Sequence, residues 1–361
     1  MPSPTPQLIR RVLVHESVQD GALARRVRQR TEGIPWLVLP RGATPPPDPA
    51  PGRDLVLAEQ RGRFLKPCPG ATRHICCGYR VLHLAEGCPL ACSYCILKAY
   101  FREPALTVFA NSDRLLRELG QALTQNPDRR LRVGTGEFAD SLALEPLTGQ
   151  AAELVEFLSG FSNVRLELKS KVADLSWLAA AKRPETVLPA WSVNAPEIQA
   201  REEPGSASIE ARLAAAKECA RLGFRVCLHF DPVLRHPGWE RGYAEAVDLV
   251  LDHLYPRDVA YVSLGSFRFL PALKGIVERE HPQARFLYDE FAPGLDGKMR
   301  LLRPLRVAQL RFLAGRLSAG GLGDKLYLCM ESPEVWRGVL GSAPRGTAAL
   351  GRRLLDLAFG A

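Results

Sequence analysis

The sequence predicts an α/β protein whose parallel sheet curls into a barrel or an open part of one. Three observations carry this. Six short apolar runs recur between residues 79 and 264, each followed by an amphipathic helical stretch. Repeated strand-then-helix units build parallel sheets, because a parallel connection has to cross the sheet, and right-handed crossovers curl successive units the same way. Finally, 361 residues with 46% hydrophobic and 24% charged side chains can bury a sizeable core, which excludes collagen, coiled coil and general disorder.

Strands are expected at 79–84, 130–134, 164–168, 187–193, 225–230 and 260–264, and helices at 112–124, 149–161, 174–182, 208–222, 239–254 and 271–281. Residues 1–74 read as a small basic appendage with a helix at 22–30 and a short strand at 35–39. Residues 40–53, PRGATPPPDPAPGR, hold too much Pro and Gly for either element and are expected to form a linker or extended arm. The barrel is expected over 75–290, with a basic C-terminal extension over 291–361.

The net charge of +9 is unevenly spread. Residues 1–74 and 291–361 carry +6 each, leaving −3 for the middle. Basic flanks either attract phosphates or form a solvated arginine-rich surface. No run of about 18 apolar residues occurs, so no membrane-spanning helix is expected. The N-terminus lacks the apolar region and cleavage site of a secretory signal, which points to a cytoplasmic protein. Nine Cys in that setting are expected to be metal ligands and buried thiols rather than a disulfide framework.

Functional groups of such a barrel sit just beyond the C-terminal ends of its strands. There the first strand is followed by Glu86-Gly87-Cys88-Pro89-Leu90-Ala91-Cys92-Ser93-Tyr94-Cys95. Three Cys at CxxxCxxC can hold three irons of a [4Fe–4S] cluster and leave the fourth open to an outside ligand. A structural zinc site, with His83 or Cys77 as fourth ligand, is the rival reading. The second strand ends Val133-Gly134-Thr135-Gly136-Glu137. GTGEFA also fits a dinucleotide fingerprint, but no helix opens on it, Pro146 intervenes, and no acidic residue ends the next strand as that motif requires.

At these residues the chain resembles the radical S-adenosylmethionine (SAM) superfamily, whose members carry CxxxCxΦC after the first strand of a partial (β/α)6 barrel. Tyr94 fills the aromatic position. Gly134 and Gly136 with Glu137 are similar to the Gly-Gly-Glu segment of that superfamily, where backbone approaches SAM and Glu accepts from its amino group. Over 75–290 the resemblance narrows to the spore photoproduct lyase-like branch. It rests on Lys169, Trp191-Ser192-Val193-Asn194, Glu203-Pro204-Gly205-Ser206 with Arg212, His229-Phe230-Asp231-Pro232, the stretch Arg235 to Tyr243, and Phe267-Arg268-Phe269.

The resemblance implies that Cys88, Cys92 and Cys95 bind the cluster. It also implies that Lys169 and Ser192 hold the SAM carboxylate with Asp140 and Asn194 nearby, and that Arg235, His236, Tyr243 and Arg268 face substrate or the barrel mouth. Two departures stand out: Glu137 occupies the position of the branch's hydrogen-returning Cys, and Ile96 that of the Tyr in the same relay. Cys329 is the candidate substitute hydrogen donor, against the simpler reading of a buried thiol; Cys68, Cys76, Cys77, Cys219 and Cys227 read as core or surface thiols.

The function expected is that of a lyase-like radical SAM enzyme. Its substrate would be a DNA pyrimidine photoproduct gripped through the basic flanks, and its electrons would come from a flavodoxin- or ferredoxin-like donor. Radical chemistry on a small molecule or peptide is the alternative within the class. A non-catalytic DNA-binding protein with a structural metal site is the alternative outside it. The sequence does not indicate an oligomeric state.

Overall fold

The computed structural model describes residues 9–40, 43, 53–70, 73–101 and 105–360. Of the expected linker at 40–53, all but Pro40, Ala43 and Arg53 lies outside the described residues. The N-terminal part folds as β1 (Ile9–His15), α1 (Ala22–Arg30), β2 (Trp36–Leu39) and β3 (Arg53–Ala58), followed by β4 (Leu65–Pro67), β5 (Arg80–Leu82), β6 (Ala85–Glu86), the short helix α2 (Leu97–Tyr100) and β7 (Leu106–Phe109). One sheet runs β2-β1-β3-β7-β6, parallel except at β6. The apolar stripe Leu23, Ala24 and Val27 of α1 closes a small core over it with Val12, Val14, Leu55, Leu57, Leu106 and Val108.

The division expected at residue 74 therefore runs through shared pairing. β6 and β7 complete the N-terminal sheet, while β4 pairs antiparallel with β5 on the edge of the larger one.

That larger sheet follows the expected rhythm. After α3 (Ser112–Thr124) come β8 (Leu131–Gly134), α4 (Glu145–Thr148), α5 (Gln150–Leu158), β9 (Val164–Ser170), β10 (Val187–Ser192), α6 (Pro196–Glu202) and α7 (Ile209–Arg221). β11 (Val226–Val233), α8 (Trp239–His253), β12 (Val259–Ser266), β13 (Arg268–Phe269) and α9 (Ala272–Glu280) follow. β5, β8, β9, β10, β11 and β12 neighbour one another in chain order, each pair parallel, and form a curled half-barrel. Every residue of β10 and β12 is buried, as expected of parallel strands covered on both faces.

The helix expected at 174–182 is corrected to a single 3₁₀ turn at Ser176–Ala180. Asp174 Oδ1 accepts from the Ser176 amide at 2.8 Å, a local side-chain bond that competes with helical propagation.

The C-terminal part adds β14 (Phe291–Pro293), β15 (Met299–Leu301), α10 (Arg303–Ala319), β16 (Leu326–Leu328), α11 (Pro333–Leu340) and α12 (Thr347–Phe359). It too is shared across the expected boundary: β15 pairs with both β13 and β14, and β16 extends the barrel sheet in parallel beyond β12. An isolated bridge between Ile75 and Glu331 draws the loop before β5 to the loop after β16, bringing the two ends of the curled sheet together. Among the described residues no helix is long and apolar enough to cross a membrane.

Candidate cluster and cofactor site

The cysteine loop leaves β6 at the C-terminal side of the barrel. Gly87 and Ala91 take positive φ angles, 84° and 54°, which turn the chain back on itself. A non-glycine residue in that region is strained, so the surroundings have to hold it. They do so through the segment that begins at α6. The Ser93 amide donates to Glu202 O at 2.9 Å and the Gly205 amide to Leu90 O at 3.1 Å. A Cβ on Gly205 would lie 2.6 Å from Leu90 O, so this close approach requires glycine. The Tyr94 hydroxyl donates to Glu203, whose carboxylate also pairs with the fully buried Arg212. The Glu203–Arg212 motif thus buttresses the cluster loop.

Cys88, Cys92 and Cys95 face one cavity of about 200 Å³ together with Tyr94, Ile96, Gly136, Glu137, Asp140, Lys169, Lys171, Ser192, Asp231 and Arg268. Burial pushes the Cys88 thiol well up and that of Cys92 up to about 12, with Lys171 pulling Cys92 the other way. Burial likewise raises the Glu137 carboxyl above the usual range against the pull of Lys169 and Arg268.

The fourth ligand of a zinc site is not assembled here. His83 engages Glu86 at 3.0 Å and the Lys66 ammonium at 2.8 Å, and Cys77 lines a different cavity. Among the described residues, no three His, Cys, Asp or Glu side chains converge as the ligands of one ion do. Three thiolates on three irons of a cluster stand farther apart than that, and three Cys of one loop facing one cavity beside cationic and hydroxyl donors fit a cluster with SAM.

Of the thirteen further residues expected around cofactor or substrate, seven line this cavity, and Cys329 lines an adjoining space. Others stand elsewhere. Gly134 packs under Tyr79, whose hydroxyl oxygen lies 1.6 Å from where a Cβ would be, so its glycine serves barrel packing. Asn194 is spent on structure, accepting from the Tyr243 hydroxyl at 2.7 Å and facing Glu203 at 3.4 Å. Tyr243 is fully buried, accepts from the Leu234 amide and lines neither this cavity nor the adjoining one. His236 turns its Nδ1 to Pro237 O at 2.9 Å, and Arg235 pairs with Asp289 at 2.9 Å, both away from the cavity. Asp140 lines the cavity but works as a loop organiser, accepting from the Leu142, Ala143 and Lys171 amides and the Ser170 hydroxyl.

A second cavity of about 390 Å³ lies inside the barrel and shares Gly136, Glu137, Lys169, Asp231 and Arg268 with the first. Below it is an ionic network that motif reading missed. Glu167 accepts from the Tyr79 hydroxyl at 3.1 Å and from the Tyr261 hydroxyl, with Arg132 at 3.8 Å and His229 at 3.3 Å. Burial opposes its charge, yet His229, Arg132 and the Tyr261 hydroxyl hold the carboxyl down at about 2. Lys171 was also missed, although it stands two residues past Lys169. It is half-buried on the cavity wall, its ammonium 5.7 Å from the Tyr94 ring centre.

A curled parallel half-barrel with a CxxxCxΦC loop after its first strand defines the radical SAM class. A family model, Spore photoproduct lyase, matches residues 75–293, so the chain belongs to the spore photoproduct lyase family. It is 27% identical to the spore photoproduct lyase of Geobacillus sp. (strain Y412MC61) over 57% of this chain and 62% of that one. With the spore photoproduct lyase of Bacillus subtilis (strain 168) it shares 24% identity over 57% and 61%. The chain thus matches somewhat under two thirds of the length of these relatives. Two solved structures share the fold at a TM-score of 0.77 and 21% identity, covering 90% of this chain and 98% of theirs. One is a spore photoproduct lyase complexed with dinucleoside spore photoproduct, the other a variant with bound AdoMet and the same dinucleoside.

Proposed function

We propose that this chain is a lyase-type radical SAM enzyme with a [4Fe–4S] cluster at Cys88, Cys92 and Cys95, acting on a pyrimidine photoproduct in DNA. The observation that carries the reading is the single cavity where the three thiols meet Glu137, Lys169, Lys171 and Ser192. When bound, cluster and SAM together supply a 5′-deoxyadenosyl radical that abstracts a hydrogen atom. The chain's own part is placement. The ammonium groups of Lys169 and Lys171 and the Ser192 hydroxyl suit a carboxylate, and charge-assisted bonds are the strong ones. Glu137 suits an ammonium group, and Gly136 keeps the wall thin, since a Cβ there would lie 2.9 Å from Lys169 Cβ.

Photoproduct in DNA as substrate is supported by the family and by the dinucleoside held by its solved members. The basic flanks, +6 each, are suited to gripping phosphates while the barrel does the chemistry. A reduced flavodoxin- or ferredoxin-like protein would supply the electron, and a reducing cytoplasm suits nine free cysteines.

The test is anaerobic reconstitution followed by incubation with SAM, a reductant and dinucleoside spore photoproduct. Formation of 5′-deoxyadenosine together with dinucleoside repair is expected. Glu137 and Ile96, which stand where the branch has its Cys and Tyr, favour the second reading of a small-molecule or peptide substrate. SAM cleavage without any change in the dinucleoside would select that reading, and protein that takes up zinc but no iron would defeat both.

A further inference from the structure

The second cavity holds polar groups that the fold leaves unsatisfied. The Ser263 hydroxyl, on a residue only 1% exposed, has no hydrogen-bond partner among the described residues. His229 Nε2 beside it meets the Glu167 carboxylate at 3.3 Å in poor alignment and has no well-aligned hydrogen-bond partner among the described residues. Both residues line this space. Leaving such a group buried and unpaired forfeits its hydration, so these atoms mark where a ligand's polar edge belongs.

Four thiols line the same space: Cys68, Cys76, Cys77 and Cys329. The first three arrive on the segment before β5 and border only the second cavity. Cys329 stands at the end of β16, its amide donating to Leu264 O at 2.8 Å. Its sulfur lies 3.5 Å from Arg268 Nη2, with the Asp231 carboxylate in its electrostatic neighbourhood, and Arg268 and Asp231 line both cavities. All four border only the second cavity; Cys68 stands within electrostatic reach of Glu137 and Arg268, and Cys329 is the one in direct hydrogen-bond contact with a boundary residue, Arg268.

Resting on the reading above, we propose that the second cavity seats the ring of the substrate with its polar edge at Ser263 and His229, and that Cys329 is the catalytic hydrogen donor to the substrate's carbon radical. The sulfur–hydrogen bond breaks homolytically, a carbon–hydrogen bond forms, and the sulfur is left as a thiyl radical. One electron from the one-electron protein reductant and one proton from solvent return it to the thiol. Burial and the neighbouring Asp231 push the Cys329 thiol well above its usual range, which keeps the hydrogen on sulfur. Glu137 cannot serve, because a carboxyl O–H bond is too strong to release a hydrogen atom to carbon.

The experiment has two readouts on the full chain. In the first, anaerobic protein is treated with methyl methanethiosulfonate with and without dinucleoside spore photoproduct, and each thiol is followed by peptide mass spectrometry. The dinucleoside should slow modification of Cys329 at least tenfold, leave the remote Cys219 unchanged, and lose its protection in Ser263→Val. In the second, the reconstituted enzyme repairs the dinucleoside in deuterated buffer. Wild type should place one deuterium in the product, whereas Cys329→Ala and Cys329→Ser should still cleave SAM but lose at least tenfold in repaired product. Unaltered Cys329 modification at saturating dinucleoside, or full repair by both Cys329 variants, overturns the inference alone. Failure of the wild type to repair overturns the photoproduct reading and this inference with it.

Discussion

Arg268 faces Asp231 at 3.3 Å across the boundary between the two cavities, and both groups are largely buried. Both residues line both cavities, and the same guanidinium also reaches Cys329. A double-mutant cycle of Arg268→Gln and Asp231→Asn should give a coupling energy of about 1–3 kcal/mol by urea unfolding. Additivity of the two single substitutions would show that the pair contributes nothing.

The buried carboxylate of Glu167 ties β9 to β8, β11 and β12 and to Tyr79 just before β5. Its carboxyl is held at about 2 against an ordinary 4.5, so its stabilisation is fully present above pH 4.5 and lost as pH falls toward 2. A shift of this size corresponds to something on the order of 3 kcal/mol. Glu167→Gln leaves the Arg132 charge buried without its counter-ion and should cost about 3–5 kcal/mol at pH 7. The same substitution should flatten the acid limb of a stability–pH profile between pH 4.5 and 2, and an unchanged limb would count against the assignment.

Iron retention should depend on the loop and not on the other thiols. Cys92→Ala should lose the iron–sulfur absorbance, while Cys68→Ala and Cys329→Ala should keep about four irons per chain after reconstitution. Iron loss in all three alike would mean that the three-cysteine loop is not the cluster site.

Gly205→Ala offers a subtler test of the same loop. The added methyl group would press on Leu90 O and displace the loop without touching a cysteine. The chain should stay folded by circular dichroism and lose cluster several times faster under chelator than wild type. Equal rates would show that the close approach is dispensable.

DNA binding, if the flanks provide it, should fall steeply with salt. Removing residues 1–74 would be an unclean probe, because β3 pairs with β7 and β4 with β5. Charge reversal at the exposed Arg25 and Arg28, or at Arg345 and Arg352, leaves the sheets intact. Each pair of Glu substitutions should weaken duplex binding about tenfold near 0.1 M salt and lower the salt slope. A filter-binding titration that finds no change would reduce the charge to a solvated surface.

Six barrel strands were legible because parallel strands buried on both faces read as plain apolar runs, as in VLPAWS of β10. The cluster loop was legible because its ligands are local. Glu167 was not, because Tyr79, Arg132, His229 and Tyr261 come to it from four stretches of chain and no spacing records their meeting. Asn194 and Tyr243 show the converse. A motif places them near the site along the chain, but the direction of each side chain is decided by packing, which turns them toward each other. β7 has an apolar pattern, yet its partner is β3, on the far side of the cluster loop, so only the folded sheet shows where it belongs.

The bridge between Ile75 and Glu331 joins two segments from nearly opposite ends of the chain. The strands beside it are knit by continuous ladders, whereas this seam is basted with a single stitch. Loop-closure entropy makes so distant a contact among the last to form, and exposed local openings draw on the least stable contacts. The Ile75 amide is therefore expected to exchange its hydrogen ahead of the amides in the continuous ladders, and the thiol-lined cavity flanked by Cys76, Cys77 and Cys329 would be reached from that seam.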